Sequence, residues 1–82
     1  MHEEQIKKID GLIELILRMI PKERDAQRIY RDTATWAPSD MTRLLFERLA
    51  EQEGVHEKKL KAALEMLEAE KEELADLQKD TP

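Results

Sequence analysis

The apolar residues in the first half of the chain recur at alternating spacings of three and four. This is the heptad pattern of a helix that packs along one seam. Further apolar residues beside the seam widen the stripe beyond that of a two-stranded coil, as a helix in a bundle requires. The pattern predicts one helix from about residue 3 to 36, with Glu23, Gln27 and Tyr30 continuing the seam. The apolar seam residues are Ile6, Ile9, Ile13, Ile16 and Ile20.

A short break separates this pattern from a second one. Pro38 disfavours helical backbone at Ala37, and either Ser39 or Asp40 can cap a following helix. The break predicts a turn over 37–39 and a second helix from about residue 39 to 79. Its seam again alternates three and four, through Phe46, Leu49, Glu53, His56, Leu60, Ala63, Leu67, Glu70, Leu74 and Leu77.

The two seams mirror each other about Pro38, which predicts an antiparallel hairpin. In such a hairpin, residues whose numbers sum to about 76 lie at the same height, so Tyr30 faces Phe46 and Glu23 faces Glu53. His56 lies one turn after Glu53 and shares its helix face. Three polar side chains, Glu23, Glu53 and His56, are therefore expected to gather in otherwise apolar layers.

Composition narrows the function classes. The chain has 82 residues, 40% of them charged, with two Gly and three Pro, a composition typical of helices. It has no Cys, which excludes disulfides and cysteine-bound metals. Its net charge of −5 argues against nucleic acid as a partner. No signal peptide or membrane-spanning run is seen, so we expect a soluble, cytoplasmic protein without membrane partners.

A hairpin of this size cannot bury both apolar stripes by itself, and self-association is the usual remedy. Two copies related by a two-fold axis form a four-helix bundle and double the polar group to four Glu and two His. This is the ligand set of di-iron carboxylate proteins, a Glu from each of two helices and Glu-x-x-His from each of the other two.

The motif Glu23-x-x-Ala26-x-x-Ile29-Tyr30, then Pro38, then Leu45–His56 resembles one helical half of a rubrerythrin or ferritin-like domain. The resemblance covers about residues 19 to 67. Because the chain carries one such half, it is most similar to the encapsulated ferritins, single hairpins that dimerise to create a ferroxidase centre. The resemblance implies that residues 1–82 are a single ferritin-like half-domain, an all-α antiparallel two-helix hairpin that dimerises into a four-helix bundle.

The resemblance also implies the chemistry. Glu23, Glu53 and His56 correspond to the family's metal ligands, and Tyr30 to a tyrosine close to the metal. The implied cofactor is a di-iron centre shared between two subunits of a homodimer or higher even oligomer, and manganese suits the same ligands. The implied activity is oxidation of Fe(II) by dioxygen or peroxide, for iron handling or storage. An encapsulin shell is an implied partner, but Leu77–Pro82 shows no targeting tail.

Two other functions remain open. One is a rubrerythrin-like peroxide reductase, whose reductant would be another protein because this chain lacks cysteine. The other is a metal-free helical dimerisation module, in which the Glu and His side chains form a polar layer that fixes the register.

Several residues near the motif have alternative interpretations. Tyr30 is either a hydrogen-bond donor near the metal or a core aromatic, and Gln27 either orients a carboxylate or is an ordinary seam residue. Glu57 belongs either to a solvated helix face or to a negative surface that attracts cations. Gly54 marks either a close approach of the two helices or a tolerated glycine. Pro21 is expected to kink the first helix.

Overall fold

The computed structural model describes residues 2–79 as two antiparallel helices. Helix α1 spans Glu3–Thr35 and helix α2 spans Asp40–Lys79. The hairpin is a narrow rod of 67 × 14 × 11 Å. The all-α antiparallel hairpin predicted from the mirrored seams is confirmed. Residues 80–82, the end of the segment in which the sequence predicts no targeting tail, lie outside the described part of the chain.

Hydrogen bonds to Ser39 mark the beginning of α2 at the turn. The side-chain oxygen of Ser39 accepts a hydrogen bond from the backbone N–H of Thr42 at 3.1 Å. The Ser39 carbonyl oxygen accepts another from the backbone N–H of Arg43 at 3.0 Å. Of the two predicted caps, Ser39 is therefore the residue that caps α2, since these bonds satisfy amide groups that have no partner within the helix.

Pro21 lies inside α1 without dividing it. The helix continues from Glu3 to Thr35 through this residue. Proline cannot donate the hydrogen bond that would reach the Leu17 carbonyl, but packing of the flanking Ile20 against α2 keeps the segment helical. The side chain that provides the first candidate ligand, Glu23, therefore lies on the same continuous helix as the isoleucine seam.

The burial pattern of α1 follows the predicted seam, but that of α2 departs from it. On α1 the predicted seam residues are buried or half-buried. On α2 three predicted seam residues, His56, Glu70 and Leu77, are exposed. The half-buried residues at these heights are instead the next ones along the helix, Glu57, Lys71 and Gln78. A helix turns about 100° per residue, so the prediction placed His56 on the seam when it lies on the flank.

The pairing of the two helices includes one predicted contact, and two ion pairs that are offset from the predicted register. The rings of Tyr30 and Phe46 lie 6.2 Å apart, as the mirror relation predicts. Two ion pairs between long side chains, Asp10–Lys71 and Arg24–Glu57, instead join positions whose numbers sum to 81. Helical side chains lean toward their own N-terminus, so tips on antiparallel helices converge from positions about five residues out of register.

The hairpin has two unlike faces. The polar face is defined by the ion pairs Asp10–Lys71, Arg24–Glu57 and Lys61–Glu57. On the opposite side a cavity is lined by Met19, Glu23, His56, Lys59 and Leu60. Three exposed apolar residues, Leu12, Leu45 and Met66, lie one or two heptads from Met19 or Lys59 and so continue this side. The apolar face is defined by this cavity together with Leu12, Leu45 and Met66.

Neither helix of the described chain has a stretch of apolar residues suited to crossing a membrane.

Candidate metal centre

Three potential metal ligands from two helices converge about one third of the way along the rod from the turn. Helix α1 contributes Glu23, and α2 contributes Glu53 and His56. One ligand atom from each of the three lies within 4.8 Å of the other two. Nδ1 of His56 is 3.6 Å from a Glu53 oxygen and 3.8 Å from Oε2 of Glu23. The three side chains predicted to gather are therefore brought together.

These separations are longer than hydrogen bonds between nitrogen and oxygen, which have a mode near 2.9–3.0 Å. The three groups face a common point without bonding to one another. Oε2 of Glu23 is buried and has no hydrogen-bond partner. Leaving a buried carboxylate oxygen without a donor costs stability, so this atom is suited to a cation. Carboxylate oxygens with one imidazole nitrogen suit iron or manganese, and the donor set fits either metal.

Exposure of the donors is uneven. The side chains of Glu23 and Glu53 are 20% and 21% exposed, whereas that of His56 is 55% exposed. The cavity beside them has a volume of about 320 Å³ and opens on the apolar face. Glu23 and His56 therefore line an opening on this face of the hairpin.

A comparison with protein families adds a finding of a different kind. Residues 14–82 match the family described as rubrerythrin. This chain belongs to the rubrerythrin family. No curated protein and no solved structure matches it.

The family match agrees with the coarser part of the resemblance read from the motif. Members of the rubrerythrin family are di-iron oxidoreductases, and this rubrerythrin-family chain carries a partial Glu/His carboxylate site. Half of the residue set of a di-iron centre is present, with one Glu from α1 and one Glu-x-x-His from α2. The finer resemblance to encapsulated ferritins receives no support from the match.

Tyr30 lies on the same face of α1 as Glu23, seven residues further along. Its ring packs against Phe46 with an interplanar angle of 42°. Such a tilted aromatic pair contributes packing energy between the helices near the turn. The contact agrees with the interpretation of Tyr30 as a core aromatic, and it leaves the role of its hydroxyl group as a prediction.

The structure excludes one of the two interpretations of Glu57 in this rubrerythrin-family chain. Its side chain is 14% exposed, so assignment to a solvated helix face was wrong. It accepts hydrogen bonds from Arg24 Nε at 3.1 Å and from Gln27 Nε2 at 2.9 Å, both on the other helix. Lys61, one turn further along α2, approaches within 2.7 Å. The carboxylate that Gln27 orients is thus that of Glu57. The sequence signal for the ion pair was the position of Lys61, four residues after Glu57 on the same helix.

These partners change the acidity of Glu57. The hydrogen bond from Lys61 is the largest cause, followed by that from Arg24, and together with Gln27 they lower the pKa of Glu57 to about 2. Hydrogen bonds and positive charges both favour the ionised carboxylate. Glu57 is therefore negatively charged at neutral pH and already has its positive partners within the chain.

Gly54 lies against the same group. A Cβ atom at this position would be 3.3 Å from Oε1 of Gln27 and 3.7 Å from its Cδ. The first distance is tighter than an ordinary van der Waals contact, so any larger residue requires Gln27 to move. Of the two interpretations of this glycine, the close approach of the two helices is the one that the geometry favours.

Proposed function

We propose that this chain is a ferroxidase-type di-iron protein that oxidises Fe(II) with dioxygen or peroxide, for iron handling or storage. The observation that carries the proposal is the convergence of Glu23, Glu53 and His56 within 4.8 Å. The buried oxygen of Glu23 that lacks a hydrogen-bond partner supports it, because a cation would supply the missing interaction. Membership of the rubrerythrin family supports the choice of iron.

A single hairpin provides too few ligands for two metal ions. We propose that a second copy supplies the other Glu and the other Glu-x-x-His, so that the site is shared across the interface of a homodimer or higher even oligomer. Two observations support this arrangement. His56 is more than half exposed, and Leu12, Leu45 and Met66 are exposed on the same face of the hairpin. Contiguous exposed apolar patches mark interaction surfaces.

The proposed ligands have distinct roles. Glu23 and Glu53 would hold iron through oxygen atoms, which favour the harder Fe(III) ion over Fe(II) and so favour oxidation. His56 would add a neutral nitrogen ligand. As substrate, two Fe(II) ions give up one electron each, and these electrons with two protons from solvent convert dioxygen to hydrogen peroxide. The apolar face would exclude water from this site once the second copy covers it.

Tyr30 is proposed to assist from beside the metal, as a hydrogen-bond donor or an outer ligand. The substitution Tyr30→Phe separates this role from packing, because it keeps the ring against Phe46 and removes only the hydroxyl group. A slower oxidation with unchanged metal content supports the role. Parent-like oxidation assigns Tyr30 to the core alone.

The family match favours one further candidate, a rubrerythrin-like peroxide reductase. It would use the same ligands, with hydrogen peroxide as the preferred oxidant and another protein as the reductant. Initial rates of iron oxidation with dioxygen and with hydrogen peroxide distinguish the two. A much faster reaction with peroxide favours the reductase.

The central test adds Fe(II) to purified protein without oxygen, admits air, and follows the absorbance of Fe(III). Glu53→Ala and His56→Ala are expected to abolish the protein-dependent rate and the bound iron measured by elemental analysis. Glu51→Ala is the matched control, because Glu51 is an exposed acidic residue on the same helix outside the ligand group. The proposal is wrong if Glu53→Ala or His56→Ala oxidises iron as fast as the parent.

A further inference from the structure

The Glu57 group is linked to the proposed ligands through both helices. On α1, Arg24 directly follows Glu23, and Gln27 lies one turn beyond it. On α2, Glu57 directly follows His56 and lies one turn beyond Glu53. The Glu57 group, defined as Glu57, Arg24, Gln27 and Lys61, therefore lies at the height of the ligands but on the polar face.

Both oxygens of Glu57 are used to join the helices. Arg24 bonds to Oε2 and Gln27 bonds to Oε1, so two donors of α1 hold one carboxylate of α2. Lys61 contacts Oε2 from the same helix and restrains the Glu57 side chain. Because two separate bonds fix the carboxylate, neither a rotation nor a shift of one helix against the other leaves both intact.

We propose that Glu57 is a positioning residue for the metal centre, holding α1 and α2 at the rotation and height at which Glu23 meets Glu53 and His56. This inference rests on the proposed function. Glu57 itself does not belong to the converging group of ligands. Its negative charge is already shared among Arg24, Lys61 and Gln27, so its influence on a metal passes through the placement of the ligands.

Gly54 is part of the same arrangement. The absence of a side chain there lets Gln27 extend across to Glu57, since an added Cβ would come within 3.3 Å of Gln27 Oε1. Gly11 on α1 is different, because a Cβ added there meets nothing within 4 Å. The two glycines therefore form a matched pair, one beside the Glu57 group and one in open space.

The chain also provides a control for the ion pair. Asp10 and Lys71 join the same two helices, but Asp10 lies 13 residues before Glu23 on α1, or about 20 Å at 1.5 Å per residue. If Glu57 were merely a tether between helices, loss of the Asp10–Lys71 pair would affect the metal centre as much as loss of the Glu57 group.

The test measures the dissociation constant for Co(II) by titration of the dimeric protein, with the visible absorption of Co(II) as a report on its ligand geometry. Glu57→Gln is expected to weaken Co(II) binding about 10-fold or more, the effect typical of residues that orient metal ligands, and to alter the spectrum. Asp10→Asn is expected to leave both at the parent values. Parent-like affinity in Glu57→Gln overturns the proposal, as does an equal loss in Asp10→Asn.

The glycine pair keeps the test independent of folding. Alanine favours the helix at both positions, so Gly54→Ala and Gly11→Ala are both expected to fold. Gly54→Ala should weaken Co(II) binding by displacing Gln27, whereas Gly11→Ala should bind Co(II) like the parent. Equal affinities in the two variants contradict the positioning role.

A double variant separates a positioning unit from unrelated effects. Gln27→Ala combined with Glu57→Gln should weaken Co(II) binding no more than the worse single change, because both remove the same restraint. Losses that multiply contradict the proposal. If the parent binds no Co(II), or if Glu23→Ala binds Co(II) as tightly as the parent, the proposed function itself fails. Parent binding that Glu57→Gln leaves intact rejects only the positioning role.

Discussion

The two faces of this rod differ in how much of their chemistry the single chain completes. On the polar face, Glu57 has hydrogen bonds from three residues and a lowered pKa, and Asp10 pairs with Lys71. On the apolar face, Glu23 has a buried oxygen without a donor, and Leu12, Leu45 and Met66 are exposed to solvent. The polar face satisfies its charges within the hairpin. The apolar face has the character of an interaction surface, which the proposed second copy would cover.

The two faces differ in this way although neighbouring residues of the same helices form both of them. Glu23 and Arg24 are neighbours, as are His56 and Glu57, yet one member of each pair turns to each face. A rotation of about 100° per residue produces this division. The hairpin thus separates residues that fix its own geometry from residues proposed to bind metal and a second copy.

The largest expected effect comes from placing a charge on the apolar face. Leu12→Glu should dissociate the proposed dimer, because each leucine contributes about 1.5–3 kcal/mol on burial and a symmetric dimer contains it twice. The dimer should weaken at least about 100-fold, as measured by sedimentation equilibrium, and metal binding should be lost with it.

Leu17→Glu is the control for this change. Leu17 is 52% exposed and Leu12 48%, but Leu17 lies seven residues before Arg24 and so on the polar side. The control should remain dimeric. A dimer that survives Leu12→Glu, or one that Leu17→Glu disrupts equally, contradicts the assignment of the two faces.

Metal loading should produce the next largest effect. A metal at 100 times its dissociation constant stabilises the folded state by about 2.7 kcal/mol, which corresponds to a rise of about 10 °C or more in the melting temperature of a chain this small. Calorimetry with and without Mn(II) measures the rise, and chelation should reverse it. Glu53→Ala should show none. A metal-free dimerisation module predicts the same melting temperature in all three conditions.

The sequence predicted the hairpin well because few residues decide it. The isoleucine heptads determine the buried side of α1, and Pro38 with Ser39 determines the turn. The convergence of Glu23 with Glu53 followed from the mirror relation, and that of His56 from its place three residues after Glu53 on the same helix. These features depend on helical periodicity and chain reversal, which are local properties of the sequence.

The choice between His56 and Glu57 was harder to predict. Leu60, Leu67 and Leu74 occur in either version of the α2 seam, and only the intervening positions differ by one residue. In the structure Ala50 is 2% exposed and lies one heptad before Glu57. The version of the seam that contains Ala50 and Glu57 is therefore the one that faces α1. A small residue at such a position allows close packing of the helices, but the seam of large apolar residues conceals it.

A smaller effect is expected when each of the two glycines, Gly11 and Gly54, is replaced by alanine. Gly11→Ala should raise the free energy of unfolding by about 1 kcal/mol, since alanine favours a helix interior over glycine by that amount and the added Cβ meets no atom. Gly54→Ala should gain less, because Gln27 must move. Urea denaturation measures both. An equal gain at Gly54 would mean that Gln27 yields without cost.

The smallest expected effect is the pH dependence that Glu57 contributes. Because folding lowers its pKa from 4.5 to about 2, its contribution is fully present above pH 4.5 and is lost as the pH falls toward 2. Exposure of Arg24 and Lys61 to solvent screens the interaction and limits its size. The difference in melting temperature between the parent and Glu57→Gln should therefore be largest above pH 4.5 and shrink toward pH 2. A difference that stays constant across this range would show that Glu57 stabilises the hairpin through packing rather than through its charge.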